Sequence, residues 1–204
     1  MTQPIRLLLA DDQALVRGAL DALLSLEDDL MVVAHTGTGR DVPALARDHR
    51  VDVALLDIDM PECNGIDAAR AIRDAGLACR CLVVTTFGRP GYLRKALDAG
   101  VSGFVVKDTP AVELAQAVRA VHAGRRVIDP ALAQESLITG NNPLTEREKD
   151  VLRAALSGRS IKDLAMELRL SPGTVRNHLS SAIGKVHATN RAEAALTAQN
   201  NGWL

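Results

Sequence analysis

Asp11, Asp12, Asp57, Thr85 and Lys107 all sit where a short apolar run ends. LLLA precedes the acid pair, VALL precedes Asp57, CLVV precedes Thr85 and FVV precedes Lys107. Three carboxylates, a hydroxyl and an ammonium are a set suited to a divalent cation and a phosphoryl group. Mg²⁺ prefers an octahedron of oxygen ligands and keeps several waters. Asp12 and Asp57 could bind it directly, with Asp11 acting directly or through water. Gathered in one place, these carboxylates would repel one another without a cation. A carboxylate at the position of Asp57 can attack phosphorus and form an acyl phosphate. The transferring group spreads negative charge over its oxygens, so catalysis is mostly positioning plus cation clamps. Mg²⁺ supplies one clamp and Lys107 the other, while Thr85 can hydrogen-bond a phosphoryl oxygen.

These residues meet only if the fold brings the run ends together. Each run is short, Val/Leu-rich and set off by polar or turn residues, as a strand buried on both faces should be. Strands are expected at Ile5–Ala10, Leu30–His35, Val53–Leu56, Cys81–Thr85 and Gly103–Val106. Helices are expected between and after them. Gln13–Ser25 carries Val16, Ala19, Leu20, Leu23 and Leu24 on one face. Gly39–His49 is the next, and another runs from Gly65 to Gly76. One from Pro90 to Gly100 has proline in its first turn and glycine as its C-terminal cap. The last, from Pro110 to Gly124, presents Leu114, Val118 and Val121. The pattern predicts an α/β domain with a doubly wound five-stranded parallel sheet. In such a sheet the carboxyl ends of the strands share one edge, and sites form there.

Composition narrows the setting. Hydrophobic residues make up 47% of the 204, enough for a core, and no apolar stretch reaches the ~18 residues a membrane span needs. The N-terminus, MTQPIRLLLADD, is too short in apolar residues for a secretory leader and enters a strand at once. Cys63, Cys79 and Cys81 are odd in number, and the last two are too close for an ordinary bridge, as in a reducing compartment. A cytoplasmic protein without membrane insertion is expected. Charge is divided unevenly: residues 1–124 carry 13 Lys+Arg against 17 Asp+Glu, and residues 125–204 carry 11 against 8. The acidic half suits a cation and the basic half suits phosphate.

Residues 125–142, RRVIDPALAQESLITGNN, read as a linker with a helical piece near Pro130–Leu137. Beyond it the pattern is all helical. Thr145 and Glu148 form a capping box opening a helix to Leu156, which Gly158 ends. Ser160 with Asp163 caps a second, to Leu168. Ser171-Pro172 opens a third, with Val175, Leu179, Ile183 and Val186 as its buried stripe. Asn190 caps a fourth, through Asn200. The opposite face of the third helix carries Arg176, Asn177, Ser180 and Ser181, one cation and no acid. Arg and Asn can read guanine and adenine edges bidentately. Lys185 and Arg191, with the hydroxyl of Thr174, could hold phosphates.

The motifs LLLADD, DVALLDIDMPECNG, VVTTF and GFVVKD resemble the receiver domain of two-component response regulators, over about Ile5–Gly124. LTEREKDVL, LRLSPGTV and VRNHLSSAIGKV resemble the LuxR-type helix-turn-helix that ends response regulators of the NarL/FixJ type. The resemblance implies a flavodoxin-like receiver at 1–124, a linker at 125–142 and a DNA-binding domain at 143–204. It implies that Asp57 is the phospho-acceptor, served by a sensor histidine kinase or a small phosphodonor. Asp11 and Asp12 match the family's acidic pair, and the backbone carbonyl of Asp59 its third metal contact. Thr85 and Phe104 match the switch pair, and Lys107 the family's lysine. Pro172–Val186 becomes the recognition helix for promoter half-sites, with the last helix, about Arg191–Asn200, pairing on DNA. Phosphorylation is expected to repack the face of helix 4, strand 5 and helix 5, or of helix 1 and helix 5, with homodimer formation or domain release to follow.

Two rivals stand beside this expectation. One is a dimeric DNA-binding regulator that ignores phosphorylation. The other starts from Asp57-Ile58-Asp59, which is also the D-x-D of aspartate-nucleophile phosphohydrolases of the haloacid dehalogenase type. Met60-Pro61 after it and the acid pair two βα units earlier depart from that pattern.

Overall fold

The computed structural model describes residues 3–86, 90–130, 133 and 142–204, and the chain divides into two compact units, one built on a sheet and one of helices. The sheet unit runs β1 (Ile5–Ala10), α1 (Ala14–Leu24), β2 (Leu30–Thr36), α2 (Val42–Asp48), β3 (Val53–Leu56), α3 (Gly65–Asp74), β4 (Arg80–Thr85), α4 (Pro90–Asp98), β5 (Gly103–Val106), α5 (Ala111–His122) and β6 (Val127–Ile128). All strand pairs are parallel, in the order β2-β1-β3-β4-β5-β6. From β2 the chain crosses back over β1 to lay β3 on its other side. That reversal opens a crevice at the carboxyl ends of β1 and β3.

Burial on both faces explains why the strands are unbroken apolar runs. Leu7, Leu9, Val53, Leu55, Leu82, Val84 and Val105 form one core with Leu24 of α1 and Leu114, Val118 and Val121 of α5. The alternate residues Leu8, Ala54, Leu56 and Val83 are equally buried, as period-two side chains of a covered sheet must be.

Two differences from expectation have local causes. A sixth strand, β6, lies in the stretch expected to be linker. It hydrogen-bonds along β5, with Val127 N–H donating to the Ser102 carbonyl and Asp129 N–H to that of Phe104, both at 3.1 Å. The helical piece expected at Pro130–Leu137 falls mostly outside the described residues. On α1 only the row Val16, Leu20 and Leu24 turns inward. Ala19 and Leu23, expected on the buried face, are exposed with Leu15 in the adjoining i, i+4, i+8 row.

The helical unit runs α6 (Glu146–Ala155), α7 (Ile161–Glu167), α8 (Pro172–Lys185) and α9 (Arg191–Asn200). The caps are those expected: Thr145–Glu148 and Ser160–Asp163 close capping boxes, and the side chains of Ser171 and Asn190 accept N–H bonds from Thr174 and Glu193. Leu144, Val151, Leu152, Leu164, Val175, Leu179 and Val186 make its core, with Ile183 only partly buried. Among the described residues no helix is long and apolar enough to cross a membrane.

Candidate functional site

Register carries the chemistry to one edge. Ala10 pairs with Leu56, so Asp11 and Asp57 leave the sheet side by side, and Asp57 N–H donates to the Ala10 carbonyl at 2.8 Å. Thr85 ends β4, between β3 and β5, and its carbonyl accepts the Lys107 N–H at 2.7 Å. The chain can turn tightly after Asp57 because Gly65 opens α3 against it: a Cβ on Gly65 would lie 2.0 Å from the Asp57 carbonyl oxygen. Asn64 caps that helix by accepting the Asp67 N–H. The loop therefore holds Asp57 from both ends.

The carboxylates of Asp11, Asp12 and Asp57 each offer an oxygen within 4.8 Å of the other two. Asp11 and Asp57 are buried and Asp12 is exposed, giving the cluster one open side. Lys107 closes the inner side: its ammonium lies 2.6 Å from Asp11 Oδ2 and 3.4 Å from Asp57 Oδ1, yet finds no bond of hydrogen-bond geometry. Gln13 N–H donates to Asp11 Oδ1 at 2.9 Å, and Arg17 donates to the Asp11 carbonyl, fixing the acid's orientation. Burial pushes the Asp57 carboxyl up to about 6; Lys107 opposes this and the Asp11 charge adds to it. A hard divalent cation fits this donor set. It would relieve both the crowding of the acids and the cost of ionising Asp57.

Other expected residues fall in varied places. Asp59 lies two residues past Asp57 in the loop, its carboxylate exposed and outside the acid cluster. Phe104 is 1% exposed and lies in β5 between Val83 of β4 and Ile128 of β6. On α8, Arg176, Asn177 and Ser180 are exposed. Thr174 is half-buried, with its hydroxyl 2.8 Å from that of Ser171, and Arg191 is half-buried at the start of α9. Ser181 and Lys185, expected among the DNA contacts, are exposed and also bond a buried acid. Ser181 Oγ donates to Glu148 Oε1 at 2.6 Å and Lys185 Nζ to Glu148 Oε2 at 2.7 Å.

Glu148 is the residue that sequence reasoning used only as a cap. Its signal was legible: Glu148, Val151, Leu152 and Ala155 follow the i, i+3, i+4, i+7 spacing of a buried face, and all four are buried. Burial alone would raise its pKa, but bonds from Lys185, Ser181 and Thr145 outweigh that and hold it at about 2, below the ordinary 4.5. A lowered carboxylate stabilises the fold fully above its unfolded value, and the gain is lost as pH falls toward the folded one. Melting curves of the wild-type chain and Glu148→Gln should differ, for the helical unit, by on the order of 2 kcal/mol at pH 6, with the gap shrinking between about pH 4.5 and 2.5. A gap unchanged by pH would mean that the charge of Glu148 contributes nothing.

Comparison with known proteins covers both units. The family described as "Response regulator receiver domain" matches residues 7–119, and "Bacterial regulatory proteins, luxR family" matches residues 142–198. The transcriptional regulatory protein DesR of Bacillus subtilis is 42% identical over 200 residues, spanning 98% of this chain and 99% of that protein. UhpA of Escherichia coli, also a transcriptional regulatory protein, is 34% identical over 199 residues, spanning 98% and 100%. Among solved structures, the response regulator ChrA of a heme-sensing two-component system aligns over all of both chains with TM-score 0.62 and 32% identity. The RcsB–DNA complex matches in fold, with TM-score 0.69 at 20% identity over 97% of this chain and 99% of that one.

Proposed function

The chain belongs to the response regulators that join a receiver domain to a LuxR-type DNA-binding domain, and we propose that phosphorylation of Asp57 switches its binding to promoter DNA. Lys107 carries this reading: a buried ammonium ion-paired with Asp11 at 2.6 Å and with Asp57 at 3.4 Å stands where a phosphoryl group on Asp57 would meet a cation. The assignment takes residues 1–124 as receiver, 125–142 as a connection that lends β6 to the sheet, and 143–204 as DNA-binding domain. The protein acts in the cytoplasm, as an acceptor that holds one phosphoryl group and not as a turnover enzyme.

An Asp57 oxygen attacks phosphorus and forms the new O–P bond. The P–N bond of a sensor kinase's phosphohistidine breaks, and the leaving imidazole keeps the electron pair and takes up a proton. Asp11, Asp12 and Asp57, with the Asp59 backbone carbonyl, would hold Mg²⁺. Bound there, the ion supplies positive charge to the phosphoryl oxygens. Lys107 exchanges its contact with Asp57 for a phosphoryl oxygen, and the Thr85 hydroxyl takes another. Phe104 repacks with Thr85 as β4 and β5 adjust. The β5–β6 hydrogen bonds support passing that adjustment to the segment leaving the sheet.

Dimer formation on activation is supported by the solvent-facing row Leu15, Ala19 and Leu23 on α1, with Leu26 beyond it and Val112 on the adjacent α5. An apolar stripe of this kind beside a filled core suits a second copy of the chain. On DNA, Arg176 and Asn177 would read base edges with Ser180 beside them, and Thr174 and Arg191 would meet the backbone.

Adding Mg²⁺ and beryllium fluoride to the full-length chain should convert monomer to dimer and protect two adjacent half-sites. Arg176→Ala should cost about 1–3 kcal/mol of specific binding and relax the choice of base at one position per half-site. Sedimentation and footprinting read both. An oligomeric state and footprint indifferent to beryllium fluoride would overturn the switch.

A further inference from the structure

We propose that Glu148 is a positioning residue for DNA recognition, clamping the C-terminal half of α8 to the first turn of α6 and so setting the angle at which Arg176, Asn177 and Ser180 are presented. The inference rests on the reading of α8 as recognition helix. Glu148 is 3% exposed and receives three donors from two elements. Thr145 N–H and Lys185 Nζ reach Oε2, both at 2.7 Å, and Ser181 Oγ reaches Oε1 at 2.6 Å. Ser181 and Lys185 stand one turn apart on α8, so both project from one face to one carboxylate.

A buried carboxylate is costly unless it is paired and hydrogen-bonded. This one is satisfied only while α8 keeps its place on α6. Rotating or sliding α8 would strand the acid, so the network resists movements that apolar contacts, being non-directional, tolerate. Among the described residues the N-terminal half of α8 has no such tether in its side-chain bonds: the hydrogen bonds of Ser171 and Thr174 are to each other. The free half bears Arg176 and Asn177. One end of the helix is thus pinned and the other carries the reading face.

Lys185 is also engaged on its inner side. Its charge is compensated by Glu148, and because its side chain is 35% exposed a phosphate would share the ammonium with the buried acid and gain less from it. The uncompensated charge that DNA meets on this surface then comes chiefly from Arg176 and Arg191.

The test uses the full-length chain, a duplex selected by the wild-type protein from a random pool, and poly(dI-dC) as non-specific competitor. Glu148→Gln should lose about tenfold in affinity for the selected duplex, the scale of one misaimed bidentate contact. Its affinity for poly(dI-dC) should hold or rise, because Lys185 is set free. Lys185→Met should lose selectivity in the same way while leaving the salt dependence of binding unchanged. Circular dichroism checks folding. If Glu148→Gln does not fold, Ser181→Ala, which removes one bond and keeps the ion pair, should show a smaller loss of selectivity.

Three results overturn the proposal. Lys185→Met could lower the slope of log affinity against log salt by about 0.9 with selectivity intact, which makes Lys185 a phosphate contact. Folded Glu148→Gln or Ser181→Ala could keep full selectivity, or lose specific and non-specific binding in parallel. A wild-type chain that selects no duplex at all removes the recognition-helix reading and this inference with it.

Discussion

Asp57→Asn should incorporate no phosphoryl group from acetyl phosphate, a loss on the order of 10³-fold or more against the wild-type chain. Asparagine has the shape of the acid and fits the loop between β3 and Gly65, but its amide is no nucleophile. Labelling with radioactive acetyl phosphate in Mg²⁺ reads the result, and retained labelling would remove Asp57 from its role. The same variant should be more stable than wild type at pH 7 in metal-free buffer. The Asp57 pKa is raised to about 6, chiefly by burial. A carboxyl held above its unfolded value of 3.8 costs stability as pH rises through that window, and above about pH 6 the cost is complete. Asparagine has no charge to bury, so the gain should be about 1 kcal/mol or more at neutral pH and vanish below about pH 4. Mg²⁺ should narrow it, because the ion stabilises only the wild-type cluster.

Lys107→Met should damage both chemistry and fold. The lysine is 10% exposed and lies within ion-pair reach of Asp11 and Asp57. Methionine preserves much of the volume and removes the cation. Stripping one preorganised donor from a developing charge costs roughly 10²–10³ in rate, so phosphorylation should slow by that factor. Two buried carboxylates then lack their partner, and breaking such a pair costs about 3–5 kcal/mol. Proton uptake limits this: with its main opposing influence gone, Asp57 should titrate higher still. The variant should therefore recover stability as pH falls from 7 to 5, the reverse of acid denaturation. Phosphorylation at the wild-type rate would show that Lys107 is a structural counter-ion only.

Much of this architecture was legible because its signals are local. The caps at Thr145, Ser160, Ser171 and Asn190 are side-chain-to-backbone bonds over three residues, so residue type and spacing suffice. The strand ends carrying Asp11, Asp57, Thr85 and Lys107 were visible because parallel strands buried on both faces are continuous apolar runs. β6 was not: two residues between Arg126 and Asp129 show no period, and the strand exists because the edge of β5 offers free backbone groups. The outward turn of Ala19 and Leu23 was equally hidden, since apolar residues in neighbouring helical rows look alike until one row meets a core.

By itself the sequence determined which residues stand at which strand ends, where the helices begin, and that a receiver and a LuxR-type helix-turn-helix share this chain. Only the tertiary structure decided how those residues spend their hydrogen bonds. Lys185 looks like a phosphate ligand in a basic segment, Ser181 looks like part of the helix face turned to DNA, and Glu148 looks like a cap. Packed together, the acid takes both, because a buried carboxylate gains more from a charged donor and a hydroxyl than those groups gain from water. Likewise Asp11 and Asp12 are 46 and 45 residues from Asp57 along the chain. They become one site because β3 pairs with β1 in a register that a strand's own pattern does not encode.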